Sequence, residues 1–298
     1  MSRQVHGFFY LALAMLTVGS TVIASKLIAS GLPPFSAAAL RFAIAFPVFL
    51  LLMRATGARL PKLSRSDRLI LLIQAGAGSV GYTTLLISGL SLTSAADAGV
   101  IIGTLPVVAA AISVLLLRER PQRALLLAVA LATAGVLSIA FTPDAAGGSL
   151  SGNALIFLAV VCEGLFILLN KKLKTEIAPL AQSTLMTGIG FIVAAIPAIF
   201  EAPLAPGISA SAVAAVVYYA LVPTVGGFLL WYAGAERVSG TEAALFTAVA
   251  PVSAVMLAFI ILGEPVGLHQ IAGIACVLAA VLGLAFAGSR TVKLAGGR

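Results

Sequence analysis

Long apolar runs alternate along the chain with short polar stretches rich in basic residues. About 20 apolar residues are needed for a helix to cross the hydrocarbon core of a bilayer. Runs of that kind lie near residues 7–29, 35–53, 69–91, 94–117, 124–142, 152–170, 179–200, 210–235, 240–262 and 267–287. They predict an all-α membrane protein with ten transmembrane helices, helix 1 to helix 10. The runs are continuously apolar instead of alternating in short strands, which argues against a transmembrane barrel. The first run is longer than a signal-peptide core and is interrupted by Thr17, Ser20, Thr21, Ser25 and Lys26. It reads as helix 1, not as a cleaved leader.

The basic residues orient these helices. Arg3 precedes helix 1. Arg54, Arg59, Lys62, Arg65 and Arg68 follow helix 2, and Arg118, Arg120 and Arg123 follow helix 4. Lys171, Lys172 and Lys174 follow helix 6, Arg237 follows helix 8, and Arg290, Lys293 and Arg298 follow helix 10. With ten spans all of these fall on one side, which the positive-inside rule makes the cytoplasm, with both termini there. Nine or eleven spans would scramble the segregation. Lys26 and Arg41 remain, at or inside helices 1 and 2.

Sliding the chain on itself reveals a repeat at an offset of about 145 residues. Gly7 meets Gly152, Lys26 meets Lys171, Pro34 meets Pro179, Gly81 meets Gly226, and Gly89 meets Gly234. Ser94 meets Ser239, Pro106 meets Pro251, Glu119 meets Glu264, and Phe141 meets Phe286. Residues 1–142 thus form one five-helix repeat and 152–287 a second, with 288–298 as a cytoplasmic tail. Five is odd, so the second repeat enters from the opposite face. Inverted repeats of this kind are characteristic of secondary transporters, whose substrate site lies near the midplane between the halves.

Composition narrows the choice further. Only 9% of the 298 residues are charged and 61% are hydrophobic, against about 25% charged in a soluble domain. Mean hydropathy is +1.14. A soluble enzyme and a disordered chain are excluded. The net charge of +8 lies in interhelical clusters and not on one folded patch, so no nucleic-acid partner is predicted. Cys162 and Cys276 sit in apolar runs, and His6 and His269 are placed near opposite membrane faces, so no disulfide scaffold and no metal site are predicted. There is no Ser–His–Asp grouping and no phosphate loop. The chain reads as neither an enzyme nor a cofactor protein. Its partners are the bilayer and a small-molecule substrate, and a monomer suffices because one chain holds both halves.

The end of each repeat carries a resemblance. Ser94-Ala95-Ala96 leads through Pro106-Val107 to Arg118-Glu119-Arg120, and Ser239-Gly240-Thr241 leads through Pro251-Val252 to Gly263-Glu264-Pro265. A helix with a central proline, closed by a Gly-Glu-like turn, resembles the EamA type of the drug/metabolite transporter superfamily. Arg118 departs from the pattern where the second repeat has Gly263. Within the superfamily the chain looks most like the YddG-type exporters of aromatic and other amino acids. The resemblance implies ATP-independent export across a bacterial inner (plasma) membrane. It also implies a cavity surrounded by helices 1, 3, 4, 6, 8 and 9, with helices 2, 5, 7 and 10 further out.

Candidate substrate-binding residues follow from helical spacing. Gln74, Gly78 and Tyr82 lie four apart on helix 3, with Tyr219, Pro223 and Gly227 as their repeat equivalents on helix 8. Thr17 and Thr21 share a face of helix 1 with Tyr10; their hydroxyls either line the cavity or bond to the backbone. Glu163, the deepest acid, is costly in a membrane unless protonated, paired or wet. Asn170 lies two turns further along its face. Glu163 has Val18 as its equivalent, which departs from the helix 1 acid of the related small multidrug exporters. Gly81, Pro106, Pro223, Gly226, Gly227 and Pro251 are candidate kinks or gates, although the glycines also suit close helix packing alone. Lys26, Arg41 and Asp97, placed toward the outer side, either form an ion-pair gate or are snorkelling bases and a helix-start acid. Glu242, the equivalent of Asp97, has the same helix-start explanation. Glu119 and Glu264 end helices 4 and 9 and need partners, for which the starts of helices 5 and 10 are nearest in sequence. Trp231 suits an interfacial belt.

These features predict a secondary transporter that exports small amphipathic metabolites, amino acids including aromatic ones first, by alternating access. The alternative is a proton-coupled exporter of cationic drugs or other metabolites working through Glu163. A channel would need a continuous polar stripe, and a membrane enzyme would need clustered catalytic groups; neither pattern is present.

Overall fold

The structure, a computed structural model, describes residues 3–117, 123–140, 149–201, 207–238 and 246–295. Their regular structure is helical, with no β-strand among the described residues. The helices are α1 (Arg3–Ala29), α2 (Pro34–Thr56), α3 (Arg65–Leu90), a bent α4 (Ala95–Ile102 and Leu105–Leu117), α5 (Arg123–Ala140) and α6 (Leu150–Lys171). They continue with α7 (Pro179–Ala198), α8 (Ala210–Ala235), α9 (Val249–Leu262) and α10 (Leu268–Ala295). Six of them are long and apolar enough to cross a membrane, and the bent α4, with 43° between its pieces, makes a seventh. The stretches Arg123–Ser138, Val249–Leu262 and Leu268–Gly283 are shorter apolar helices. The predicted tail is partly helical, because α10 runs on to Ala295. Large apolar side chains such as Leu51, Leu115, Ile192, Phe200 and Ile260 stand exposed on the outside of the bundle, as a lipid-facing surface requires.

Local chemistry explains the helix starts. Pro34 and Pro179 sit at the first helical positions of α2 and α7, where a missing N–H costs nothing. Ser64 and Ser209, 145 residues apart, cap α3 and α8 by accepting from Asp67 N and Ala212 N. Both of these helices switch from α to π winding at the same place. The π segments span Ala75–Gly81 and Ala220–Gly226, again 145 apart. Glycine in the first and Pro223 in the second weaken the ordinary i to i+4 ladder there.

The sequence repeat reappears as packing between the halves. The most extensive helix pairs, α5 with α10, α2 with α7, α1 with α8 and α9, α6 with α3 and α4, and α4 with α9, all join one repeat to the other. Matched glycines make matched contacts. A Cβ on Gly152 would come within 3.0 Å of the Gly89 carbonyl oxygen, and one on Gly234 within 3.1 Å of that of Gly7. Around these crossings Val22, Leu86, Ile101, Ile156, Ala254 and Val277 form part of the main core.

The proline of α4 marks its bend. The 43° bend of α4 falls between Ile102 and Leu105, in the turn before Pro106, where the proline has no N–H to bond to the Ile102 carbonyl; Pro106 itself lies in the first turn of the second piece. Pro251 likewise lies in the first turn of α9. A proline is tolerated there because first-turn N–H groups lack intrahelical partners. The termini of these helices are held by side chains from elsewhere. Glu264 accepts from Ala95 N and Ala96 N at 3.1 and 3.0 Å. It therefore caps α4 and not the start of helix 10, its nearest neighbour in sequence. Glu201 caps α2 through Phe35 N, Ser36 N and the Ser36 hydroxyl. Lys26 donates to the carbonyls of Leu90 and Thr93 at the end of α3. Asp67 accepts from Lys174 N and the Thr175 hydroxyl. Glu119 and Glu242, with the motifs at Arg118-Glu119-Arg120 and Ser239-Gly240-Thr241, lie outside the described residues.

Candidate functional site

A cavity of about 280 Å³ opens between α2, α3, α6, α7 and α8. Asn170 and Pro179, both exposed, mark its mouth beside the basic segment between α6 and α7. Its walls carry Phe42, Phe49, Phe166 and Phe228, with Ser79, Gln182, Thr187 and Thr224 among the polar groups. Phe49 meets Phe228 edge-on at 5.3 Å, and Phe228 meets Tyr232 at 4.6 Å, so one wall is a run of aromatic rings. The seven helical steps from Phe42 to Phe49 set a depth of about 10 Å along α2 at the helical rise of about 1.5 Å per residue.

Behind the inner end, next in sequence to the lining Phe42 and bonded to the lining Thr224, stands Arg41. Its Nε donates to Thr224 Oγ1 at 3.0 Å and its Nη1 to Thr83 Oγ1 at 2.7 Å. Its Cζ lies 4.1 Å from the centre of the Tyr219 ring and 4.9 Å from that of Phe42, within cation–π range. The threonine on α8 exists in this geometry because of its neighbour. Pro223 has no N–H to offer the Tyr219 carbonyl, the π winding passes that carbonyl on to Thr224, and the Thr224 hydroxyl also donates to it at 2.8 Å. The Thr83 hydroxyl donates to the Ser79 carbonyl at 2.7 Å. Each hydroxyl proton is thus committed to backbone, and each oxygen faces the guanidinium as an acceptor.

Glu163 lies one turn deeper than Phe166 on α6, partly buried, and in electrostatic reach of Arg41, Tyr82 and Cys162. Tyr82 in turn faces the Thr21 hydroxyl. Arg41 thus has the Tyr219 ring against it, with Tyr82 and Glu163 in electrostatic range and Thr21 beside Tyr82. Asn170 is held at the mouth by a hydrogen bond from Gln182 Nε2.

Other predicted residues have structural surroundings. Gln74 is fully buried and donates to the Phe166 carbonyl at 3.1 Å, tying α3 to α6. Its Oε1 has no hydrogen-bond partner among the described residues. Gly78 is a close-contact position, where a Cβ would lie 2.3 Å from that of Phe166. Thr17 bonds to the Ala14 carbonyl and packs on Gly227, where a Cβ would sit 2.8 Å from its hydroxyl. Gly81 approaches Cys162, and Gly226 has only the Leu221 carbonyl near it. Tyr10 stands apart from the cluster, with Arg237 over its ring. Trp231 packs against the core around Ala14, Met15 and Ala250.

One expectation is revised and one refined. Arg41 is not a snorkelling base at the membrane surface: its long stem reaches inward to hydroxyls of both repeats. Helices α2 and α7, although the least buried of the six long spans, each turn one face to the cavity and supply Phe42, Phe49, Pro179, Gln182, Ser183, Met186 and Thr187 to it. Two signals pointed this way, an arginine seven residues into an apolar helix and the polar cluster Gln182, Ser183, Thr184 and Thr187 on α7.

Comparison with known proteins places this geometry in context. The profile described as the EamA-like transporter family matches twice, over residues 5–141 and 150–286. A Bacillus subtilis protein named uncharacterized transporter YetK is 36% identical over 94% of this chain and 87% of its own length. Another from the same organism, uncharacterized transporter YyaM, is 25% identical over 89% and 88%. An uncharacterized transporter of Archaeoglobus fulgidus is 26% identical over 90% and 94%. A solved crystal structure at 21% identity superposes with a TM-score of 0.63, over 97% of this chain and 98% of that one, and shows the same fold.

Proposed function

The chain belongs to the EamA-like transporter family, and from that membership we propose a secondary transporter that exports small amphipathic metabolites, amino acids including aromatic ones first, by alternating access. In this reading α1–α10 all cross a bacterial inner membrane, with both termini in the cytoplasm. The two five-helix repeats are inverted, and a single chain is the working unit. The terminal contacts support this arrangement. Glu201 with Phe35 and Ser36, Glu264 with Ala95 and Ala96, and Lys26 with Leu90 and Thr93 each join segments that ten alternating spans put on the outer side. Asp67 with Lys174 and Thr175 joins two on the inner side.

The observation that carries the proposal is the aromatic-walled cavity, with Arg41 bonded to its lining Thr224 and Glu163 within electrostatic reach of Arg41 behind it. Apolar walls with a few convergent polar groups suit a small amphipathic ligand. The mouth lies beside the basic segment, on the cytoplasmic side in this reading, where an export substrate arrives. Exchange of access would rock one repeat on the other at the paired helix crossings. A proton-coupled exporter of cationic drugs fits less well, since a cation approaching Glu163 also meets the like charge of Arg41.

The test is uptake of labelled phenylalanine into liposomes holding the purified protein, with and without an imposed pH gradient. Saturable uptake without the gradient, weakened in Glu163→Gln, is expected. Uptake that requires the gradient and vanishes in Glu163→Gln would favour the proton-coupled reading. Absence of amino-acid transport in either condition would overturn the substrate assignment.

A further inference from the structure

We propose that Arg41 is the carboxylate-binding residue of the cavity, and that the site therefore selects carboxylates, zwitterionic amino acids above all, over amines of the same size. The inference rests on the transporter reading and specifies what its site recognises. A guanidinium in the core of a membrane protein is expensive unless its donors and charge are satisfied. Among the described residues Arg41 makes two of the five hydrogen bonds it can donate, both to neutral hydroxyls, and no ion pair. Its charge and its remaining donors are left for another partner. Glu163 lies within electrostatic reach, and no ion pair joins it to Arg41 among the described residues, so the cluster sets a guanidinium and a carboxyl group near each other without pairing them.

The surroundings fix the guanidinium before a ligand arrives. Thr83 and Thr224 hold it from α3 and α8, one from each repeat, and both hydroxyls are oriented by their own bonds to Ser79 and Tyr219 carbonyls. Tyr219 and Phe42 cover it with ring carbon, which lowers the local dielectric and strengthens what reaches its free donors. A planar fork held in this way matches a carboxylate, and charge-assisted bonds to it are strong. An α-amino acid whose carboxylate bonds to Arg41 presents its ammonium at the distance of one carbon, toward Glu163. Its side chain is left to the phenyl rings of the cavity. An amine of the same shape gains Glu163 and is repelled by Arg41. An acid of the same shape gains the pre-oriented Arg41 fork and is repelled by Glu163, whose carboxyl no hydrogen bond among the described residues orients.

The test compares three matched probes on the full-length protein: phenylalanine, 3-phenylpropanoate (no ammonium) and phenethylamine (no carboxylate). Binding is measured by isothermal calorimetry in detergent, on the wild type and on Arg41→Gln, with monodispersity and melting temperature as controls for folding. Phenylalanine and 3-phenylpropanoate are expected to bind about 10- to 100-fold more tightly than phenethylamine, with the preference lost in Arg41→Gln. Wild-type phenethylamine binding equal to that of 3-phenylpropanoate would overturn the proposal without any variant, and leave the export of amphipathic metabolites standing. A carboxylate preference that survives in folded Arg41→Gln would overturn it in the same way. Failure of all three probes to bind would overturn both this assignment and the amino-acid reading.

Discussion

The tightest helix crossing in the bundle offers a quantitative test of how the halves are joined. A Cβ built on Gly19 of α1 would fall 1.8 Å from Ser253 Oγ, 2.7 Å from the Ala250 carbonyl oxygen and 2.9 Å from Ala254 N, all on α9. Ordinary contact for such an atom begins near 3.4 Å. The serine can turn away, but the two backbone atoms cannot, so Gly19→Ala must separate α1 from α9 locally by about 0.5–0.7 Å. A gap of that size forfeits roughly a quarter to a half of the dispersion energy of each contact it opens. The expected loss of stability is about 1–3 kcal/mol, the usual range for an overpacked methyl. The repeat mate supplies a control. A Cβ on Gly164 would meet the mobile Cδ1 of Ile112 at 3.0 Å, and backbone only from 3.5 Å outward. Gly164→Ala should therefore be milder, and Gly76→Ala, with nothing within 4 Å, should be near neutral. Thermal melting of the purified variants in one detergent ranks them. Adding Ser253→Ala to Gly19→Ala should recover only part of the loss, because the backbone contacts persist. A Gly19→Ala protein as stable as wild type, or more stable than Gly164→Ala, would refute the reasoning.

The Arg41 cradle and the outer caps carry further predictions. Thr224→Val removes both the acceptor for Arg41 Nε and the donor that satisfies the Tyr219 carbonyl, so transport should fall about tenfold or more. Thr184→Val, on a hydroxyl bonded only within its own helix to the Leu180 carbonyl, should leave uptake close to wild type in the same assay. Glu264→Ala strips two N–H groups of α4 of their cap and should cost about 0.5–2 kcal/mol in thermal melting. Preserved stability would show that water caps that end adequately.

Much of the architecture was legible in the chain because membrane insertion imposes strong rules. Apolar run lengths marked the helices, and the matches of proline, glycine and serine at an offset of 145 reappear as matched caps, π segments and glycine crossings. What was not legible depends on where a helix faces. Both α2 and α7 are apolar enough to lie against lipid, and only their cross-repeat packing shows that one face of each walls the cavity. Arg41 seven residues into a helix is compatible with a surface-seeking stem. Its inward course is decided by Thr83 and Thr224, which lie 42 and 183 residues away. Gln74 and Tyr82 share a helix face in sequence, yet one is fully buried as a tie to α6 and the other belongs to the Arg41 cluster. Spacing places residues on a helix, and only the neighbouring helix decides between packing and binding.

The two classes of residue divide along the repeat itself. Positions that match between halves, such as Gly7 with Gly152, Gly89 with Gly234, Pro34 with Pro179 and Ser64 with Ser209, hold helix crossings and helix starts. Positions around the cavity's inner end do not match. Arg41 faces Met186 across the repeat, Glu163 faces Val18, Tyr82 faces Gly227, and Tyr219 faces Gln74. A scaffold that exchanges two conformations benefits from halves of equal build, since neither state is then favoured by packing alone. A site that binds one dipolar molecule in one orientation must break that equality, because a single carboxylate needs a single cation. In the proposed transporter, the loss of symmetry at Arg41 and Glu163, between halves that match at their crossings and helix starts, is what a directional binding site between two interchangeable halves requires.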